Sequence, residues 1–237
     1  MDLKRMATAF SVLLVIVLIV IASVFYDDKF DFTAASAESM NNFPVFVVDA
    51  GHGGLDGGAS TSDGMLEKDV NLEIASKLDQ ALRFFGYKTV MTRSEDISLH
   101  DADAKTIRAQ KTSDLHNRMK IMESTPNAVL ISIHQNHYSE AKYSGAQVFY
   151  APGSERSKAL AQNIQQSVAS QLQPDNTRQI KPSGASIYIL YKAKIPAVMV
   201  ECGFLSNYNE AQKLKTSVYR TEMALAVFGG ILNSEEI

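Results

Sequence analysis

The sequence predicts one α/β domain with a mostly parallel central sheet flanked by helices on both faces, preceded by an N-terminal hydrophobic helix. Three observations carry this. Short apolar runs of strand length alternate with longer segments whose apolar residues recur every three or four positions, the pattern of strands joined by crossover helices. Several of the short runs end in glycine or in a polar residue, as a buried strand does when it leaves its sheet. Residues 43–237 number 195 with one cysteine, Cys202, which is chain enough for a single core and excludes an internal disulfide framework.

The first element stands apart from the rest. Lys4 and Arg5 precede an almost wholly apolar run from Ala7 to Phe25. At about 1.5 Å per residue such a helix spans a hydrocarbon core of roughly 30 Å. It reads as a signal-anchor with Lys4 and Arg5 in the cytoplasm and the remaining chain exported. Ala35-Ser36-Ala37 resembles a signal-peptidase site, but it lies ten residues beyond the run. Residues 26–42 are rich in acids and amides and read as a polar tether. The layout is therefore an anchor at 1–25, a tether at 26–42 and a folded domain at 43–237. A net charge of -3 with dispersed Lys and Arg speaks against a nucleic-acid surface.

Within the folded domain, Pro44 to Asp49 is a buried strand feeding the tight loop Gly51-His52-Gly53-Gly54. Val70, Ile74, Leu78, Ala81 and Phe85 define a helix from Glu67 to Phe85, stopped by Gly86. Tyr87 to Met91 and Ala128 to Ile133 are the second and third strands, with a helix between them carrying Leu115, Met119 and Met122 on one side. Gln147 to Tyr150 is the fourth strand, followed by a helix through Leu160, Ile164, Val168 and Leu172. Ile187 to Leu190 and Ala197 to Cys202 read as further strands, and a closing helix is expected to bury Leu214, Val218, Leu225 and Phe228.

Sites in open parallel sheets form at the carboxyl ends of the strands. His52, Arg93, His134 and Glu201 lie there. Catalytic zinc commonly takes two imidazoles and a carboxylate and keeps a position for water. His52, Glu67 and His134 match that set, since the helical phase turns Glu67 toward the sheet, where an unpaired charge is costly. Arg93 or Arg118 would also neutralise it. Glu201 interrupts an apolar strand and, by alternation, points away from Cys202. A carboxylate there suits proton transfer from water to a leaving nitrogen, although a fourth ligand or a partner for Arg93 fits the same position. Asp49 is placed to orient His52 or to cap its loop, while His100 and His116 read as surface residues. A zinc peptidase, or a binding protein with a structural metal, would use the same ligands.

Five blocks in order make the reading sharper: Val48-Asp49-Ala50-Gly51-His52-Gly53-Gly54, Glu67-Lys68-Asp69-Val70-Asn71-Leu72, Thr92-Arg93 with Asp96, Ser132-Ile133-His134-Gln135-Asn136, and Val200-Glu201-Cys202-Gly203-Phe204-Leu205-Ser206-Asn207. Over residues 44 to 232 the chain resembles the zinc-dependent N-acetylmuramoyl-L-alanine amidases of the amidase type 3 family. The resemblance implies one Zn2+ per chain on His52, Glu67 and His134, with Glu201 as catalytic acid or base. It implies peptidoglycan strands with stem peptides as substrate, the cut falling between the lactyl group of N-acetylmuramic acid and L-alanine. Arg93, Arg118, Asn136 and His137 are expected along the substrate groove. Two departures stand out: Arg118 comes 22 residues after Asp96, a longer interval than the family pattern, and His137 replaces a small residue. Together with the N-terminal segment they resemble the sporulation branch, which acts in spore cortex on the way to muramic δ-lactam; an activating protein partner is compatible with this.

Overall fold

The computed structural model describes residues 43–234, and the hydrophobic segment and tether expected before them lie outside these residues. The described residues fall in one compact unit, Phe43–Ile237. Among them no helix is long and apolar enough to cross a membrane.

The strands are β1 (Val45–Ala50), β2 (Lys88–Met91), β3 (Ala128–Asn136), β4 (Gln147–Tyr150), β5 (Lys181–Pro182) and β6 (Ala197–Phe204). The helices are α1 (Glu67–Phe84), α2 (Ile107–Ser124), α3 (Glu155–Gln171), α4 (Tyr188–Tyr191), α5 (Tyr208–Leu214) and α6 (Ser217–Leu232). The six strands make one sheet in the order β2-β1-β3-β6-β4-β5. All neighbours are parallel except β4, which runs antiparallel to β6.

Strand parity divides the core. Val48, Ile131, Val148 and Val200 pack on one face against Ile74 of α1, Ile164 of α3 and Val227 of α6. Val47, Leu130 and Met199 pack on the other against Met122 of α2 and Leu190 of α4. The same parity sends Asp49, Ser132, His134 and Glu201 to the α2 side, because side chains alternate along a strand. Cys202 goes to the other face and is buried in the larger core.

Three expectations are corrected. Ile187 to Leu190 is not a strand: Tyr188–Tyr191 forms a one-turn helix in which Leu190 and Tyr191 donate backbone hydrogen bonds to Ile187. Four apolar residues carry too little periodicity to tell a buried turn from a buried strand. The closing helix is two helices, because the Thr216 side chain accepts the Tyr219 N–H and restarts the helix in a new phase. Leu214 and Phe228 are buried, but Val218 and Leu225 face solvent at 69% and 51% exposure. The two-residue β5 was not foreseen; it is an edge strand, where a proline removes no needed ladder bond.

The long interval before Arg118 is an extended entry to α2. Asp114 accepts hydrogen bonds from the Leu99 N–H at 2.6 Å and the Ser98 hydroxyl at 3.1 Å, and Asn117 donates to the Leu99 carbonyl at 2.7 Å.

Candidate metal centre

His52, Glu67 and His134 come from three different elements and offer ligand atoms that all lie within 4.8 Å of one another. His52 sits just past β1 in the left-handed region, at φ 62°, with its ring between Asp56 and Glu67. Glu67 opens α1 and is 3% exposed. His134 is near the end of β3. Glu67 Oε1 is 3.2 Å from His52 Nε2 and 3.0 Å from His134 Nδ1.

Two glycines make the approach possible. A Cβ on Gly51 would overlap the His134 ring, and one on Gly58, at φ +66°, would meet Glu67 Oε2 and the His52 ring. The glycines of this loop therefore admit the ligand side chains to the sheet edge.

Hydrogen bonds fix the ligands. Asp56 holds His52 Nδ1 at 2.9 Å, leaving Nε2 turned to Glu67. Lys111 in turn holds Asp56 at 2.9 Å. Glu67 Oε2 accepts the Ala59 N–H at 2.8 Å, and Oε1 accepts the Gln135 N–H at 3.1 Å. Burial works against the Glu67 charge, but His134 and His52 outweigh it and keep the carboxylate well below the usual range. Burial likewise opposes charge on His52, and the hydrogen bonds it donates to Asp56 and Glu67 overcome it, lifting the imidazole to about 9. A proton and a cation thus compete for the same nitrogen. Two imidazoles and an anionic carboxylate, with His52 Nδ1 and Glu67 Oε2 engaged elsewhere, fit a divalent metal with an open position.

Glu201 faces the same space. Its Oε2 is buried and has no hydrogen-bond partner. Burial raises its carboxyl to about 7, with a further push from Glu67 against the pull of His134 and His52. It is not paired with Arg93.

Both arginines belong to the scaffold rather than to the groove. Arg93 donates to the carbonyls of Ala50, Gly51, Lys68 and Glu95. Arg118 donates to Asp49 at 2.6 Å, to Asp114 at 2.6 Å and to the carbonyls of Ala50 and His52. At 2% and 3% exposure, their guanidiniums are consumed in holding the His52 loop. Asp49 does not orient His52: it accepts from Arg118, Thr92 and Ser132 beneath the site. Asp56, which sequence reasoning passed over, does that work; the acid four residues after His52 in a glycine-rich loop was the available signal. Asn136 is half-buried at the end of β3, and His137 is exposed beside it. His100 bonds to Ser98, and His116 is exposed.

With this geometry in view, the chain can be set beside known proteins. A family model described as N-acetylmuramoyl-L-alanine amidase matches residues 46–233. The germination-specific N-acetylmuramoyl-L-alanine amidase of Bacillus subtilis is 35% identical over 188 residues, covering 79% of this chain and 78% of that protein. The structure of the CwlD amidase from Clostridioides difficile, in complex with the GerS lipoprotein, matches with a TM-score of 0.78 and 36% identity over 81% of this chain and 98% of that one. The amidase AmiC2 of Nostoc punctiforme matches with a TM-score of 0.69 and 27% identity over 80% and 95%. The chain belongs to the N-acetylmuramoyl-L-alanine amidase family.

Proposed function

We propose that this chain is an N-acetylmuramoyl-L-alanine amidase of the germination and sporulation type, in which His52, Glu67 and His134 hold one zinc ion and Glu201 moves the proton. The observation that carries the reading is the buried, unpartnered Oε2 of Glu201 beside a converging His, Glu and His set. A divalent cation on those ligands supplies a lowered pKa for water and a polarised substrate carbonyl.

The protein's own groups do the rest. Glu201 Oε2 takes a proton from the attacking water and delivers it to the amide nitrogen, which leaves only when protonated. Burial raises this carboxyl in the metal-free chain, and a cation on the neighbouring ligands would draw it back down, so that it can accept the proton of water and pass it on. Asp56 keeps His52 in one tautomer, and the Glu67 bonds to Ala59 and Gln135 prevent that carboxylate from turning away.

The finer assignments form part of the same proposal. Residues 1–25 anchor the chain as a hydrophobic helix, 26–42 tether it, and 43–237 act outside the membrane. The substrate is spore cortex peptidoglycan, where stem-peptide removal prepares muramic acid for δ-lactam formation. The CwlD relative was solved with a lipoprotein, which supports an extracytoplasmic protein partner for this chain too.

Product masses test the reading. The zinc-loaded enzyme is expected to release intact stem peptides and leave unsubstituted muramic acid. Cleavage confined to bonds within the peptide would assign a peptidase instead.

A further inference from the structure

Beside the metal centre runs a groove of roughly 390 Å³, within the range of small-ligand sites, about 300–1,000 Å³. Two chain segments lead into it directly from Glu67. The Ala59 N–H is bound to Glu67 Oε2, and the next residue, Ser60, is on the groove wall. The Gln135 N–H is bound to Glu67 Oε1, and His137 and Tyr138 follow two and three residues later. At about 3.8 Å per residue, the wall begins within one or two residues of the carboxylate's own hydrogen bonds.

The floor is apolar and closed, formed by Leu205 and Ala211 at 2% and 4% exposure. Above it stand two exposed aromatic rings, Tyr138 at 50% and Tyr208 at 73% exposure. Neither is loose. The Tyr138 N–H donates to the Ser206 hydroxyl at 3.1 Å, and its ring meets Tyr143 edge-on at 5.0 Å. Tyr208 is the first residue of α5, whose N-cap side chain, Asn207, also donates to the Ala141 carbonyl.

The polar groups of the lining are mostly neutral hydroxyls and an amide, including Ser60, Ser139 and Gln212, together with the exposed imidazole of His137. Asp63 is the one carboxylate in it, and that charge is taken up by an ion pair with Lys215. Lys215 is thereby spent as well.

From this arrangement we infer that the groove is the glycan subsite, in which Tyr138 and Tyr208 stack against N-acetylated sugar rings while the stem peptide leaves on another side. The inference rests on the amidase reading. A sugar ring presents an apolar C–H face and a rim of neutral hydroxyl and acetamido groups, which complements flat phenols over an apolar floor with neutral donors around them. The stem peptide ends in a free carboxylate, and the lining of this groove holds no lysine or arginine to receive it, His137 being its one basic side chain. In the substrate the muramic ring is separated from the scissile carbonyl by only the lactyl carbon and its ether oxygen, so the subsite for that ring has to adjoin the metal ligands, as this groove does.

The test uses the full-length, zinc-loaded chain with Tyr208→Ala, Tyr138→Ala and the controls Tyr208→Phe and Tyr138→Phe. Substrates are a muramoyl peptide carrying its disaccharide and the same peptide bearing only the lactyl group. Each alanine variant is expected to raise KM for the sugar-bearing substrate about tenfold, or about 1.4 kcal/mol, with kcat nearly unchanged. The lactyl peptide should show no change, and the phenylalanine variants should behave as wild type. Equal losses on both substrates would make the groove a peptide subsite, and no loss on either would exclude it from substrate binding.

Binding of a peptide-stripped, N-acetylated glycan to the Glu201→Gln chain separates this inference from the one beneath it. If the wild type releases no stem peptide, the amidase reading fails on its own account. The subsite is still supported by glycan binding that Tyr208→Ala weakens, and overturned by glycan binding that both alanine variants leave intact or by no glycan binding at all.

Discussion

His134 and Glu201 are register partners across the parallel strands β3 and β6, and both side chains point to the α2 face of the sheet. A proposed metal ligand and the proposed proton carrier are therefore spaced by the sheet itself. Just beyond them the register shifts between His134 and Asn136, and pairing resumes at Asn136 and Phe204. The relation between the two residues is set by backbone hydrogen bonds rather than by a mobile loop, the kind of support a catalytic pair needs.

Glu201→Gln is the direct test of that pair. It preserves shape and removes the proton acceptor, so turnover should fall on the order of 10²–10⁴-fold. Bound zinc, measured by elemental analysis, should stay near one per chain. Loss of the metal would instead make Glu201 a ligand.

Asp56→Asn should act through His52. The carboxylate that fixes Nδ1 is replaced by a neutral amide, and such changes typically weaken metal affinity about 10–100-fold. Chelator competition would measure it. Unchanged affinity would mean that the His52 loop is held adequately by Arg118 alone.

Removing and restoring the metal gives a stability readout independent of activity. Chelation should abolish cleavage, and zinc at a hundredfold over its Kd should return it while adding about 2.7 kcal/mol to folding. The rise in melting temperature should disappear in His134→Ala.

Asp49 predicts the acid limb of stability. Burial opposes its charge, but Arg118 and the Ser132 hydroxyl outweigh that and lower it from 3.8 to about 2. The folded pKa lies below the unfolded one, so this contribution is complete above about pH 4 and is lost as pH falls toward 2. It amounts to about 2 kcal/mol. Denaturant unfolding from pH 5 to pH 2 should show the decline, and Asp49→Asn should flatten it while lowering stability at pH 7 by about 3 kcal/mol, because Arg118 loses a buried partner.

Gly58→Ala should damage the centre without touching a ligand. A side chain at φ +66° is strained, by on the order of 1–3 kcal/mol, and its Cβ would press on Glu67 and His52. Reduced zinc binding together with a lower melting temperature is the expected pair of results.

What the sequence by itself determined is the part that depends on local pattern. The alternation of apolar runs and helical periodicity defined the α/β layers, and position at strand ends or on the inward phase of α1 picked out His52, Glu67 and His134. An acid in an apolar strand picked out Glu201, and parity separated it from Cys202. Tertiary structure alone decided what those residues touch. Asp56, not Asp49, reaches His52 in a loop that takes a left-handed turn at His52; the spacing of four made Asp56 a candidate, and only the fold chose between the two acids. Arg93 and Arg118 look like groove residues in the chain, yet the carbonyls of the loop and the buried Asp49 claim them once the sheet has formed. Val218 faces solvent four residues after buried Leu214 because one helix ends there and the next starts at the Thr216 cap, and Leu225 lies away from the face of α6 that buries Met223 and Val227. Periodicity is a property of one element, whereas the partner of a buried charge is chosen by whichever elements the sheet brings beside it.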